Sequence, residues 1–592
     1  MKYLSFLFFC VFQCVLGQTP SSFIVHSHND YVQDVPYWKA FSSGATSIEA
    51  DVFLKDGALY VTHHENEIEE GKQLENAYLH PLEVSLAAPY TFPEQLQLLI
   101  DVKSDAYTTL DALIEILKKY PKITNNKKVK IVISGNRPKV EEYTNYPDFI
   151  YFDYQQLTPI TDTATLDKIA MVSLSFGSVS AWNGLGRLTA PDAEKVTATI
   201  AKAHALHKPF RFWGTPDTKT AWSTFVRLGV DVINTDHPFY CVQYVSSLHK
   251  RTHENTVFSK VYTPTYASDG KDSKVDRVIF MIGDGNGLSQ ISAAVLANGG
   301  TSSLSQLKNI GFIKTQSADD FTTDSAAGAT AMATGTKTNN RAIGVDAKGN
   351  RKQSLVELLA DKKFATALVT TDEISGATPS SFYAHRVDRS EKEGILEDLT
   401  NSKLYLAIAR GGDATDANFG FTRVNARNEL ERTKADKLLY LVNEEDYKKD
   451  VEKNELSLWT KTALNILKEK AKKSFIMIEG ANIDSNGHTN NVKGIIEEGI
   501  GFDKAIGVAL AFADKNPNTL VIITADHETS GFSLPHGANG GASIEGDFNS
   551  HDHSATMVPI FAYGPQSDTF QGIYENNEVF YKILKALEVT AK

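Results

Sequence analysis

The feature that most constrains this chain is a repeated alternation of short β-branched or apolar runs with helical stretches. Helical patterns at 107–119 and 192–206 separate several of the runs, which predicts strand–helix units and a parallel sheet with chemistry at the strand ends. Such a series in a chain of this length favours a TIM-type (β/α) barrel, with a doubly wound open sheet as the alternative. The strands predicted for this first series are 23–26, 47–52, 58–62, 96–102, 129–134, 149–152, 171–175, 209–213 and 230–234.

A second α/β series follows a polar stretch rich in turn-forming residues at 263–273. No repeat relates the two series, so we predict two unequal domains. The expected organisation is a signal peptide at 1–17, a barrel at 18–242, a linker at 243–275 and an α/β sandwich with a central, largely parallel sheet at 276–592. The strands predicted for the second domain are 277–282, 365–370, 474–478, 519–524 and 558–563.

The first residues indicate the compartment. Lys2 precedes an apolar run that ends at Gly17, which is too short to span a bilayer and typical of a secretory signal peptide. Cleavage would leave Cys241 as the one remaining cysteine, and therefore no internal disulfide. We predict an exported protein, periplasmic or extracellular, that is not an integral membrane protein. The net charge of −12, without a long basic block, argues against specific nucleic-acid binding.

In the second domain, acidic and histidine side chains recur beside predicted strands. Since the carboxyl ends of parallel strands meet at one edge of a sheet, these residues can converge despite large sequence separations. Mixed Asp and His ligands suit zinc, whereas an all-oxygen set suits magnesium. The residues in this pattern are Asp284, Glu479, Asp484, His488, Asp526, His527 and His553.

Ser325 is the candidate nucleophile. Small residues around it, from Thr323 to Ala331, would let a strand turn into a helix with the hydroxyl at the helix N-terminus. The helix dipole and unpaired backbone N–H groups favour a phosphate there. The alternative is that Asp324 or Ser325 merely caps a helix.

Six ordered motifs resemble those of alkaline phosphatases, over a match from 277 to 592: 283–287, 323–327, 377–379, 479–484, 524–527 and His553. The resemblance implies that Ser325 becomes a phosphoserine and that Arg389 clamps the phosphoryl oxygens. It implies small-molecule phosphate monoesters as substrates and leaves a homodimer open. A diesterase or sulfatase of the same superfamily is the alternative.

The same resemblance implies two zinc ions and one magnesium ion. Gly376 and Ser485 stand where family members often carry charged or histidine residues, which leaves metal preference and pH optimum open. The implied ligands are Asp284, Asp526 and His527 for one zinc, Asp484, His488 and His553 for the other, and Asp284, Thr378 and Glu479 for magnesium.

The first domain carries a second constellation at its predicted strand ends. Glu49 and Asp51 share one strand face because they are two residues apart. Together with His28, His63 and Asp101 they suit one hard divalent cation flanked by an acid and a base. The alternative is a buried polar network or a set of helix caps. His26 and His64 are expected to be bystanders.

This second pattern resembles the glycerophosphodiester phosphodiesterase and phosphatidylinositol-specific phospholipase C superfamily, from residue 23 to 237. The resemblance implies an acid/base pair, one calcium or magnesium ion, and glycerophosphodiesters or phosphoinositides as substrates. Asn29 replaces the arginine of the usual His-Arg-Gly, and Asp101 replaces a glutamate. We predict an exported bifunctional phosphate scavenger, with a non-catalytic lipid- or polyanion-binding barrel as the alternative. The implied roles are acid and base for His28 and His63, metal ligands for Glu49, Asp51 and Asp101, and phosphate contact for Lys103.

Overall fold

A computed structural model describes residues 24–88, 92–412, 417–443, 445, 447, 456–538 and 540–590. The predicted signal peptide lies outside these residues. The chain divides into two compact units, Met1–His249 and Lys250–Lys592, and each is described by itself below. Within the described ranges, no helix combines the length and apolarity needed to cross a bilayer.

The first unit is a closed barrel, which confirms the prediction over the open sheet. Its nine-stranded sheet has the order β1-β9-β8-β7-β6-β5-β4-β2-β3 and closes where β1 pairs with β2. All neighbouring strands are parallel except the hairpin β2–β3. The antiparallel strand β3 is therefore an addition to the edge of β2 and not one of the strands that form the barrel. The strands are β1 (Ile24–Ser27), β2 (Ser47–Lys55), β3 (Ala58–Val61), β4 (Leu96–Val102), β5 (Val129–Gly135), β6 (Ile150–Tyr154), β7 (Ile169–Ser175), β8 (Phe210–Trp213) and β9 (Val232–Thr235).

Helices cover the outside of the barrel, and local sequence sets their ends. The Asp105 side chain accepts a hydrogen bond from Thr108 N at the start of α3, and Gly229, with a φ of 90°, ends α7 in the left-handed region. Leu110, Leu113 and Leu117 recur at helical spacing in α3 and are buried in the core. The helices are α1 (Trp38–Ser43), α2 (His80–Ala87), α3 (Ala106–Leu117), α4 (Pro121–Thr124), α5 (Thr163–Asp167), α6 (Ala190–His204), α7 (Lys219–Leu228) and α8 (Pro238–Arg251).

The second unit is built on a ten-stranded sheet that is largely parallel, as predicted. Its order is β15-β16-β14-β13-β17-β11-β18-β23-β12-β24, and β23 is the strand that runs antiparallel to both of its neighbours. Two smaller sheets, β10-β21-β20 and β19-β22, belong to the same unit. The strands of the three sheets are β10 (Thr252–Glu254), β11 (Arg277–Gly283), β12 (Asn309–Lys314), β13 (Ala365–Glu373), β14 (Leu406–Arg410), β15 (Thr422–Val424), β16 (Leu438–Val442), β17 (Ser474–Gly480), β18 (Thr519–Thr524), β19 (Glu528–Thr529), β20 (Ser533–Gly537), β21 (Ser543–Asp547), β22 (His553–Ser554), β23 (Val558–Tyr563) and β24 (Gly572–Glu575).

Both faces of this sheet are buried. In β11, Phe280 and Ile282 belong to one apolar cluster and Ile279 and Met281 to the other, as expected for a parallel sheet covered by helices on both sides. The helices are α9 (Leu288–Ala297), α10 (Ser325–Thr334), α11 (Leu355–Asp361), α12 (Ala377–Ser380), α13 (Lys392–Thr400), α14 (Arg427–Leu430), α15 (Leu456–Lys470), α16 (Asn482–His488), α17 (Val492–Lys515) and α18 (Glu578–Ala586).

The range 243–275, predicted as a linker, contains ordered contacts with the second unit. Strand β10 pairs antiparallel with β21, which places Thr252 opposite Glu545. The Tyr262 hydroxyl donates a hydrogen bond to Asp514 at 2.7 Å. From residue 252 onwards this range is therefore part of the second unit's fold.

Candidate active sites

Three neighbouring strands bring the acidic residues of the second unit together. Ile282 of β11 lies beside Glu479 of β17 and beside Thr524 of β18, so the carboxyl ends of these strands are level. Asp284 and Asp526 follow directly, and both are buried. The sheet register thus converts residues far apart in sequence into one cluster.

Two groups of side chains in this unit have the spacing of metal ligands. One group is Asp284, Asp526 and His527; the other is Asp484, His527 and His553; and within each the ligand atoms lie within 4.8 Å of one another. His488 adjoins the second group, with Nε2 at 3.2 Å from Asp484 Oδ2 and 3.1 Å from His553 Nε2. The structure therefore brings all six predicted zinc ligands together.

The predicted magnesium ligands form a third corner of the same pocket. The Thr378 hydroxyl donates to Asp284 Oδ2 at 3.2 Å, and Glu479 accepts from the Thr370 hydroxyl. Asp284 Oδ1, Asp526 Oδ2 and Glu479 Oε1 are buried, and none has a hydrogen-bond partner among the described residues. Buried carboxylate oxygens without a donor are costly, so this donor set fits bound cations.

The pKa values of these groups point the same way. Burial and neighbouring carboxylates raise the pKa of Asp284 and of Glu479 well above the ordinary range, and raise that of Asp526 to about 7. Burial and the nearby His553 lower the pKa of His527. The bond to Asp484 raises the pKa of His488 to about 9. Without cations, the pocket concentrates like charges at a site shielded from water.

Ser325 is the first residue of α10 and is almost fully buried. Its Oγ lies 3.2 Å from His527 Nε2, and Asp324 caps the helix by accepting from Ala327 N at 2.9 Å. A Cβ on Gly328 would lie 3.1 Å from the Asp526 carbonyl oxygen, which explains the glycine at this position. The expected strand-to-helix turn is wrong in one respect: β12 ends at Lys314, and an irregular loop leads to the helix.

Arg389 lines the same cavity of about 410 Å³ as Ser325, His488 and His553. Its Nη1 donates to Asp324 Oδ2 at 3.1 Å, so the helix-capping carboxylate also orients the arginine. The sequence reading missed Arg341, which lines the cavity and forms two 2.8 Å hydrogen bonds with Asp388. Its backbone carbonyl accepts from Arg389 N at 2.7 Å.

In the barrel unit, the predicted metal ligands also converge. Glu49, Asp51 and Asp101 offer ligand oxygens within 4.8 Å of one another, and the register of β2 and β4 sets Asp51 beside Asp101. Asp51 Oδ1 is buried without a hydrogen-bond partner among the residues described. Clustered oxygen donors of this kind fit one hard divalent cation.

Each predicted acid/base histidine of the barrel has a carboxylate partner. His28 Nδ1 lies 2.7 Å from Asp236 Oδ1, and His63 Nδ1 lies 2.6 Å from Asp51 Oδ2. Burial lowers the pKa of His28, but the bond to Asp236 and the charge of Glu49 outweigh it, and the net shift is upward. The β2–β3 hairpin carries His63 back to Asp51. Asp236 was missed as a site residue, although its place after β9 is the usual signal.

His26, expected to be a bystander, contacts a predicted metal ligand. It is fully buried, with Nε2 at 2.6 Å from Glu49 Oε2, and Arg211 contacts both side chains. Burial and the Arg211 charge lower the pKa of His26 to about 4. Lys103 Nζ lies 3.1 Å from Asp51 Oδ2 and 3.3 Å from Asp101 Oδ1. Two cationic side chains therefore already reach the barrel carboxylates.

Comparison with known proteins assigns the second unit. A family model described as alkaline phosphatase matches residues 275–404, 413–547 and 542–589, more than half of the chain. The chain belongs to the alkaline phosphatase family.

Relatives of this phosphatase cover the same region. It is 30% identical over 422 residues to alkaline phosphatase 4 of Bacillus subtilis (strain 168), which is 54% of this chain and 91% of the relative. It is 28% identical over 409 residues to the alkaline phosphatase of Escherichia coli (strain K12), covering 53% and 87%. The solved alkaline phosphatase of the Antarctic bacterium TAB5 matches with a TM-score of 0.50 at 40% identity, over 54% of this chain and 100% of that one.

Two further family models match the barrel unit of the phosphatase. An AIM6-like phosphodiesterase domain matches 18–91, and the glycerophosphoryl diester phosphodiesterase family matches 209–238. The first match contains His28, Glu49, Asp51 and His63, and the second contains both Arg211 and Asp236. The chain is thus a phosphatase of the alkaline phosphatase type that also carries a domain similar to phosphodiesterases.

Proposed function

We propose that the second unit hydrolyses phosphate monoesters through a phosphorylated Ser325. The observation that carries this proposal is the position of the Ser325 hydroxyl. It lies at the N-terminus of a buried helix, 3.2 Å from a histidine that belongs to both ligand groups, and in one cavity with Arg389. These surroundings place the hydroxyl among groups that can stabilise a phosphoryl oxygen.

The residues of the chain divide the reaction between them. Ser325 Oγ attacks phosphorus and the alcohol departs; water then attacks the phosphoserine and frees phosphate. The first N–H groups of α10 favour the phosphate charge. The Arg389 guanidinium offers two parallel donors to the phosphoryl oxygens. Because Asp324 both caps α10 and accepts from Arg389, it fixes the nucleophile relative to its clamp.

The proposed cofactors are two zinc ions and one magnesium ion. When bound, such cations lower the pKa of a hydroxyl or water and stabilise entering and leaving oxygens. The ligands we assign are Asp284, Asp526 and His527 for the first zinc, Asp484, His488 and His553 for the second, and Asp284, Thr378 and Glu479 for magnesium.

The test uses the purified full chain on nitrophenyl phosphate. Ser325→Ala should abolish hydrolysis, whereas Ser292→Ala, at a serine on the exposed side of α9, should leave it unchanged. Rates on a monoester, a diester and a sulfate ester, measured side by side, decide between a phosphatase and a diesterase or sulfatase. A faster diester or sulfatase rate that Ser325→Ala removes would contradict the proposal.

We further propose that the barrel hydrolyses phosphodiesters by metal-assisted acid/base chemistry. One histidine of the pair His28 and His63 takes a proton from the attacking water, and the other protonates the leaving alcohol. Their carboxylate partners, Asp236 and Asp51, hold the rings. Glu49, Asp51 and Asp101 would hold one calcium or magnesium ion, and Lys103 would contact the phosphate.

Point variants test the proposed diesterase activity separately from the proposed monoesterase activity. His28→Ala should remove diester hydrolysis and leave nitrophenyl phosphate turnover intact. If diester turnover survives that change while Ser325→Ala eliminates both activities, the barrel is not the diesterase. Calorimetry tests the alternative by titrating the Ser325→Ala protein with glycerophosphodiester and calcium. Heat of binding without release of a product would identify the barrel as a binding module.

The two activities together suit phosphate scavenging outside the cytoplasm, because cleaving a diester yields a monoester. We propose that residues 1–17 are removed on export and that the mature protein is periplasmic or extracellular. Mass spectrometry of the protein's N-terminus, after cell fractionation, tests this proposal. An intact Met1 in the cytoplasmic fraction would contradict it.

A further inference from the structure

One half-buried acid in the phosphatase unit has no part in the proposed reaction. Asp372 lies near the end of β13; its Oδ1 accepts from Glu373 N at 2.7 Å, and its own N donates to the Thr370 hydroxyl at 2.8 Å. That hydroxyl in turn bonds to Glu479. A single side chain therefore separates the backbone of Asp372 from a proposed magnesium ligand.

Gly376 makes room for this acid. A Cβ on Gly376 would lie 1.8 Å from Asp372 Oδ2 and 2.5 Å from its Cγ, so the carboxylate fills the space of a side chain at 376. The φ of Gly376 is −59°, which every L-residue adopts, and backbone strain therefore does not require glycine here. Gly376 caps α12 two residues before Thr378, so the carboxylate lies against the residue that begins the short helix carrying a second proposed magnesium ligand.

The charges around Asp372 connect it to both sides of the pocket. After burial, the charge of Asp372 is the first cause that raises the pKa of Glu479. Burial also raises the pKa of Asp372 itself, and the charges of Arg410 and Arg389 act against that rise. The acid is thus within electrostatic reach of the phosphate clamp and of the magnesium corner.

We propose that Asp372 is a positioning residue for the magnesium site, and that its carboxylate replaces, from strand β13, a side chain absent at position 376. The site it serves is formed by Asp284, Thr378 and Glu479, so the inference rests on the proposed function. A carboxylate just outside the ligands can accept hydrogen bonds from water on the cation and hold the ligands in place. Loss of such a group typically costs about 10- to 100-fold in metal affinity.

The test measures magnesium binding to the metal-stripped, zinc-reloaded full chain by calorimetry and by metal analysis. Asp372→Asn should weaken magnesium binding about tenfold or more. Gly376→Ala should have a similar effect, because its methyl group displaces the carboxylate. The matched control is Glu373→Gln, the adjacent acid of the same strand, which should bind magnesium as the wild type does.

Combined variants distinguish positioning from general disruption. Gly376→Ala should have little further effect once Asp372→Ala has emptied the space, and Asp372→Ala with Gly376→Asp should recover part of the lost affinity. Wild-type affinity in Asp372→Asn, full additivity of the two alanine changes, or a wild type that takes up no magnesium would overturn the inference. Ser325→Ala should still bind magnesium, so failure of the proposed reaction is recognised separately.

Discussion

The two candidate sites of this chain balance charge in opposite ways. In the phosphatase unit, no described lysine or arginine forms an ion pair with Asp284, Glu479 or Asp526, and all three carry buried oxygens without a donor. In the barrel, Asp51 Oδ1 also lacks a hydrogen-bond partner among the described residues, but Arg211 and Lys103 already reach the carboxylates. The first pocket therefore depends on added cations for its charge balance, whereas the second is partly neutralised by its own side chains.

The largest expected difference follows from removing metal. Exhaustive chelation of the full chain should lower monoester turnover about 1,000-fold or more, because several kcal/mol of charge stabilisation is lost. Zinc plus magnesium should restore it. Diester turnover, followed in the Ser325→Ala background, should fall by a smaller factor, since Lys103 and Arg211 remain. Equal losses in the two assays would show that the barrel depends on metal as strongly as the phosphatase unit does.

A smaller but still large effect is expected at Arg211. Arg211→Met removes a buried cation that contacts His26 and Glu49, and breaking such a pair typically costs about 3–5 kcal/mol. Four of the five tryptophans, Trp38, Trp182, Trp213 and Trp222, lie in the barrel unit. Tryptophan fluorescence during urea unfolding in a Trp459→Phe background therefore reports on the barrel alone.

The control for that experiment is an exposed pair in the same unit. Lys118→Gln breaks the pair with Glu115, and both side chains are more than half exposed. It should change the free energy of unfolding by less than about 0.5 kcal/mol. A cost for Arg211→Met no larger than that of the control would show that the barrel carboxylates do not need Arg211.

The third effect concerns pH and is gradual, because it is spread over several pH units. The folded-state pKa of Asp526 is raised to about 7, whereas an unfolded Asp titrates near 3.9. Protonation of Asp526 therefore stabilises the folded, metal-stripped protein. This contribution to stability is complete below the unfolded pKa and is lost as pH rises through about 7. Each such group contributes up to about 1.4 kcal/mol per pH unit in that window.

Calorimetry of the metal-stripped chain between pH 5 and 8 should show that the phosphatase unit loses stability as pH rises. Asp526→Asn should make this stability less dependent on pH. In the barrel, burial raises the pKa of Asp101 to about 6 despite the charge of Lys103, so its corresponding loss should be complete at lower pH. A barrel that loses stability over the same pH range as the phosphatase unit would contradict this difference between the two sites.

Much of this architecture was predictable because local pattern determines it. The bounds of β4 and β18 agree with the predicted 96–102 and 519–524, since uninterrupted β-branched and apolar runs define them. Pairing direction was not predictable in the same way. An isolated strand such as β3 or β23 reads the same whether it pairs parallel or antiparallel, because the choice depends on chain connections outside it.

The site residues divide along the same line. Ser325 and its neighbours were found because a family pattern and a helix start coincide there. Arg211 was missed because its meaning lies in contacts with residues more than 160 positions away. A signal did exist: an arginine between two buried phenylalanines of a short strand must face the barrel interior. The proposed role of Asp372 depends on the absence of a side chain at Gly376, and neither position alone indicates that role.

The register that aligns β11, β17 and β18 has a consequence for biosynthesis. Gly285 N donates to Asp526 at 3.2 Å across 241 positions of sequence, and His553, the last proposed ligand along the chain, comes later still. A ribosome-bound chain thus lacks part of the proposed metal centre until residue 553 has been made. Loading of the complete proposed site would then follow the synthesis of residue 553, and the compartment in which this unit completes its folding would decide which ions it can acquire.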